Sequence, residues 1–186
     1  KQFYFLTAEA STFSDSLSLT DAAISTGELT EWTRPSNIKA QKRILIFDAC
    51  NSGEAIKDWA DFNASGTLTA RGDDNAQQIK AIDKLNEKSG LFILSASASS
   101  QSAFEVGRYS QGLLTYSLLK AILQQPDILV DGKFLDIGRW FTAAEKSVNE
   151  LALENGVKQQ PQILANTNFS LGLVDAEVQS KITIEK

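Results

Sequence analysis

Apolar residues along this chain fall into two kinds of run. Short unbroken ones, at Phe3-Tyr4-Phe5-Leu6, Ile44-Leu45-Ile46-Phe47 and Leu91-Phe92-Ile93-Leu94, are bounded by polar or turn residues. Such runs predict strands, and the absence of alternation in the last two predicts burial on both faces, as in a parallel sheet covered by helices. Longer stretches repeat every three or four positions. Ile79, Ile82 and Leu85 mark one face of a helix over 76–88 that Gly90 ends. A helix from Gly112 to about Leu123 carries Leu113, Leu114, Tyr116, Leu118, Leu119 and Ile122, apolar on most sides and so well buried. An amphipathic helix over 136–154 turns Trp140, Phe141, Val148 and Leu151 inward, and Gly156 stops it. Nearer the start, Ser25 or Thr26 caps a helix through Glu28 to Thr33, which Pro35 stops.

The stretches between are polar. Residues 7–23 predict a loop, 36–43 lead into the strand at 44–48, and 64–74 predict an exposed, mobile connection. Trp59 and Phe62 pack locally, 126–134 form a loop around an Asp131-Gly132 turn, Pro161 to Leu164 is a last strand, and the tail is weakly patterned. Strands alternating with helices predict an α/β domain of three layers, a helix-covered α/β/α sandwich with a mostly parallel central sheet. In open α/β sheets the ligand crevice lies beyond the carboxyl ends of the strands. The strand at 44–48 ends in Asp48-Ala49-Cys50-Asn51-Ser52-Gly53, which places the lone thiol at such an end.

Composition narrows the classes. The chain has 186 residues, 42% hydrophobic and 22% charged, enough for one globular domain with a core. A net charge of −5 with scattered Lys and Arg argues against nucleic acid as a partner. No apolar run approaches the ~20 residues that span a bilayer, and no signal peptide is visible, so no membrane partner is expected. One Cys makes no internal disulfide, which suits a reducing, cytoplasmic compartment. There is no His, hence no imidazole for base or metal, and no Met. With a strand already at Phe3, the expectation is a fragment or processed piece whose sheet lacks earlier strands.

Ile46-Phe47-Asp48-Ala49-Cys50-Asn51-Ser52-Gly53 resembles the nucleophile segment of caspase-like cysteine peptidases, in particular the bacterial caspase-like and metacaspase branch. Phe92 to Ser97, continuing through Ser102-Ala103-Phe104-Glu105 to Gly112-Leu113-Leu114-Thr115-Tyr116-Ser117-Leu118-Leu119, resembles that family's next core strand, pocket-lining loop and following helix. Gln159-Gln160-Pro161-Gln162 resembles the segment before its final strand. The three stretches occur in family order. The resemblance implies a catalytic domain over 1–172 followed by a tail over 173–186. It implies a Cys-His dyad with Cys50 as nucleophile, whose His, in a His-Gly turn, belongs to an N-terminal part of the same protein preceding this chain. A peptide or protein is the implied substrate, and no cofactor is required. Calcium, which some metacaspases bind, has no ligand-like spacing at Asp73-Asp74 or around 127–131.

The chemistry of the residues bears on this expectation. A free Cys has a pKa of about 8.5, so only a few per cent is thiolate at neutral pH. A helical turn after Asn51 would favour the thiolate by up to ~2 kcal/mol, little more than one pKa unit. Amide cleavage also needs a proton for the leaving amine, worth about 10² to 10⁴ in rate, and nothing near Cys50 in sequence supplies it. The chain by itself is thus expected to be close to inactive. The backbone N–H of Cys50 is the oxyanion donor left in it.

Strand alternation would set Asp48 and Cys50 on one side, Cα atoms ~6.6 Å apart. A bare carboxylate there would raise the thiol pKa. The pairing makes sense when Asp48 receives a cationic substrate side chain, and the resemblance implies the same, with cleavage after Arg or Lys. Asp48 taken alone also reads as a helix or turn cap. Ser95 and Ser97 line the same pocket, with Glu105 a weaker candidate, and Arg71 in the exposed connection is a candidate for self-cleavage. Two other classes compete: an inactive caspase-like interaction module that keeps Cys50 for packing, and an unrelated α/β hydrolase. The latter has neither a Gly-x-Ser-x-Gly elbow nor a His to support it.

Overall fold

A computed structural model describes residues 3–7, 22–49, 52–53, 90–98, 103, 111–164 and 168–184. Cys50, Trp59, Phe62, Arg71, Glu105, the helix expected over 76–88 and the connection expected over 64–74 lie outside these residues. The described part is mixed α/β. Three small sheets and four α-helices are present in it, with no closed barrel.

β1 (Tyr4–Leu6) pairs antiparallel with β2 (Ala23–Ser25). β2 runs straight into helix α1 (Thr26–Trp32), because Ser25 forms a capping box: its hydroxyl accepts from the N–H of Glu28, and the Glu28 carboxylate accepts from the N–H of Ser25. The chain then leads to β3 (Arg43–Phe47), which runs parallel to β4 (Leu91–Ser95). β7 (Gln162–Leu164) adds to the other side of β4, antiparallel, giving the order β3-β4-β7. The third sheet, order β5-β6-β8, joins β5 (Leu129–Val130), β6 (Phe134–Asp136) and β8 (Ser170–Leu173), all antiparallel.

Two differences from the sequence reading stand out. The mostly parallel central sheet is not what the described strands form, since only β3 and β4 run parallel. Nor is β3 buried on both faces. Ile46 is 40% exposed, whereas every residue of β4 is buried. The reason is position: among the described strands β3 is at the edge of its sheet and β4 at the centre.

The core lies between this sheet and two long helices, α2 (Leu113–Gln124) and α3 (Ile137–Glu154). Leu94 and Ala96 meet Leu113, Leu114 and Leu118 of α2 and Ile137, Phe141, Ala144 and Val148 of α3 in one cluster. Of the four inward positions expected on α3, Phe141, Val148 and Leu151 are buried, and Trp140 is half-buried with its indole N–H donating to the Leu118 carbonyl at 2.9 Å. Asp136 caps α3 by accepting from the N–H of Arg139 at 2.9 Å, and Gly156 leaves the helix at φ +69°. The stretch expected as a loop over 126–134 holds a 3-10 turn (Pro126–Ile128) and the β5–β6 hairpin. A second cluster, Ala121, Ile128, Leu135 and Val174, packs this hairpin sheet against the far end of α2. Helix α4 (Ala176–Ser180) closes the described chain. No helix of the described residues is long and apolar enough to cross a membrane.

Candidate functional site

The parallel pairing of β3 and β4 brings their carboxyl ends together. The N–H of Ala96 donates to the Phe47 carbonyl at 2.8 Å, so Asp48 and the Ala96-Ser97 stretch after β4 leave the sheet side by side. β3 ends at Phe47, and the N–H of Ser52 donates to the carbonyl of Ala49 at 3.3 Å. The chain therefore turns immediately after Asp48, with Ser52 and Gly53 helical. The expected placing of Cys50 on the same side as Asp48 lies outside the described residues.

Asp48 is exposed, and its Oδ2 takes two hydrogen bonds from α2: the Thr115 N–H at 3.0 Å and the Thr115 hydroxyl at 2.6 Å. The N-cap of α2 is Gly112, which has no side chain to offer. Asp48 thus caps the helix from another element, accepting from the third N–H that an N-cap side chain ordinarily serves. Among the described residues, Oδ1 accepts no hydrogen bond.

Ser95, the last residue of β4, and Ser97 are both completely buried. The Ser95 hydroxyl donates to the Ser97 carbonyl at 3.1 Å. The Ser97 N–H donates to the hydroxyl of Ser52 at 3.4 Å, tying the turn after β3 to the turn after β4. The Ser97 hydroxyl is buried without a hydrogen-bond partner among the described residues. Both serines therefore underlie the strand ends rather than coat them.

β7 contributes from the opposite direction. Gln162 pairs with Ser95, and the buried Gln159 just before the strand donates its side-chain N–H to the Ala96 carbonyl at 3.0 Å. The structure thus gathers Asp48, Ser95 and Ser97 at one end of the sheet and adds four residues that the sequence reading gave no role: Ser52, Gly112, Thr115 and Gln159. All four stand inside the motif stretches quoted above, which was the only signal for them. Among the described residues no group of three or more His, Cys, Asp and Glu is placed to hold a metal ion. Asp127 and Asp131 are exposed, and Asp131 sits in a tight turn. Compared with protein-family models, curated proteins and solved structures, the chain matches none.

Proposed function

We propose that this chain is part of a caspase-like cysteine endopeptidase that cleaves peptide bonds after Arg or Lys. Cys50 is the nucleophile, and its base is an imidazole from outside these 186 residues, because the chain contains no His. Asp48 receives the basic side chain before the scissile bond, and the buried Ser95 and Ser97 support the strand ends beneath it. The domain belongs, on this reading, to the three-layer α/β/α sandwiches. The enzyme works in a reducing, cytoplasmic compartment on a peptide or protein substrate.

The observation that carries the reading is the state of Asp48. Its carboxylate is exposed at the carboxyl end of a parallel strand, anchored through Oδ2, with Oδ1 accepting no hydrogen bond among the described residues. A cation brought to such an oxygen gains a charge-assisted hydrogen bond. The same anchoring also suits the competing class, an inactive interaction module in which Asp48 only caps α2. The two separate on reactivity. An electrophilic peptide ending in Arg should label Cys50 faster than the same peptide ending in Asp, read by mass spectrometry. Equal labelling, or a preference for Asp, would remove the basic pocket. No labelling by either peptide in protein that carries the imidazole, with the thiol still open to a small alkylating reagent, would favour the interaction module.

A further inference from the structure

Asp48 reaches α2 across 67 positions of sequence, and it is held there by one residue. Thr115 supplies both donors, backbone N–H and hydroxyl, and both converge on Oδ2. Gly112 makes the approach feasible. Its backbone, φ −61° and ψ 148°, is a conformation any residue adopts, so conformational freedom does not explain a glycine at this point. Space does: a Cβ on Gly112 would meet both carboxylate oxygens of Asp48, Oδ2 first and Oδ1 at 2.6 Å, closer than real Cβ atoms come to anything.

We infer that Thr115 is the positioning residue for Asp48 and that Gly112 is the gap that admits the carboxylate. This rests on the proposed function and deepens it. A surface aspartate free to rotate would have to be ordered by each cation it binds, at a cost in conformational entropy. With Oδ2 fixed by two donors, Oδ1 is already in place, and the preference for a basic side chain becomes a property of the Thr115–Gly112 turn as much as of Asp48 itself. The Thr115 hydroxyl is the part of this arrangement that can be removed cleanly. Valine keeps the shape and the backbone N–H; serine keeps the hydroxyl.

The test is equilibrium binding of two blocked peptide amides, identical except for Arg or citrulline as the last residue, read by calorimetry. Citrulline preserves the shape of Arg without its charge, so the ratio of the two affinities isolates the carboxylate. Thr115→Val should reduce that ratio about tenfold, the worth of one hydrogen bond to a charged group. Thr115→Ser should restore it. Gly112→Ala, which displaces the carboxylate from its Thr115 donors while leaving the Thr115 side chain unchanged, should lose the ratio to a similar degree and decides the matter should Thr115→Val fail to fold. General loosening of the site would weaken both peptides alike and leave the ratio intact. A wild-type preference for Arg that both variants keep overturns the positioning role while Asp48 stands. Equal binding of the two peptides by the wild-type chain overturns the basic pocket, and this inference with it.

Discussion

Asp48 does two things that a substitution can pull apart. Asparagine is as good a helix cap as aspartate, whereas alanine offers no acceptor at all. Asp48→Asn should therefore keep the hydrogen bond from the Thr115 N–H and change stability by only a few tenths of a kcal/mol, while Asp48→Ala should cost ~1 kcal/mol. Both remove the charge, so both should abolish any preference for Arg over citrulline. Urea unfolding alongside peptide binding checks the pair. Loss of the preference in Asp48→Ala alone would mean that capping, not charge, is what the residue provides. The sequence announced half of this. An acid at the end of a buried apolar run, two positions before the lone Cys, was legible as a candidate with two readings, pocket and cap. That it caps α2 at Thr115 was not legible, because the contact depends on how α2 is seated on the sheet, and no local pattern encodes that register.

Among the elements, a cap on α1 at Ser25 or Thr26 was legible because a cap is local; that it is Ser25, in a capping box with Glu28, is what the structure adds. Ser25 and Glu28 are three apart, and their reciprocal bonds need no tertiary partner. Ser25→Ala should destabilise by ~1 kcal/mol. Glu28 adds a pH dependence. The Ser25 backbone N–H, and after it the Ser25 hydroxyl, hold the Glu28 carboxyl below its ordinary value of 4.5. Its contribution is complete above that value and is lost as pH falls through the lowered one, so Glu28→Gln should flatten the acid limb of a stability–pH profile. Glu145 on α3 has the opposite sign. Partial burial raises its carboxyl above 4.5, so the native state is favoured below that value and the advantage fades as pH rises through the raised one. Glu145→Gln should therefore gain stability relative to wild type at neutral pH. The β5–β6 hairpin was the harder element to read. Strands of two and three residues are too short to show a period, and only the Asp131-Gly132 turn signal was visible. Both turn residues have positive φ, 51° and 64°, so Gly132→Ala should cost ~1 kcal/mol, seen as a lower melting temperature.

Of the three apolar clusters among the described residues, two lie toward opposite ends of α2 and the third, Leu91, Ile93 and Leu164, is on the sheet. The first joins Leu94 and Ala96 to Leu113 and Leu114, directly beneath the strand ends where Asp48 and the buried serines lie. The second gathers Ala121, Ile128, Leu135 and Val174 around the hairpin sheet. A 12-residue helix is ~18 Å long, so damage at its last turn need not reach its first. Phe141 is completely buried in the first cluster, and Leu135 is buried in the second. Phe141→Ala should cost ~3–5 kcal/mol, a large share of a typical domain's ~5–15, and should weaken peptide binding because the seat of α2 on β4 shifts. Leu135→Ala should cost ~2–5 kcal/mol yet leave the ratio of Arg to citrulline affinities where it was. Measured below the onset of unfolding for each variant, a changed ratio in Leu135→Ala would mean that the hairpin sheet and the strand ends move as one body. An unchanged ratio would make the end of α2 nearest β3 and β4 sufficient, with its two neighbouring strands, to hold the acid in place.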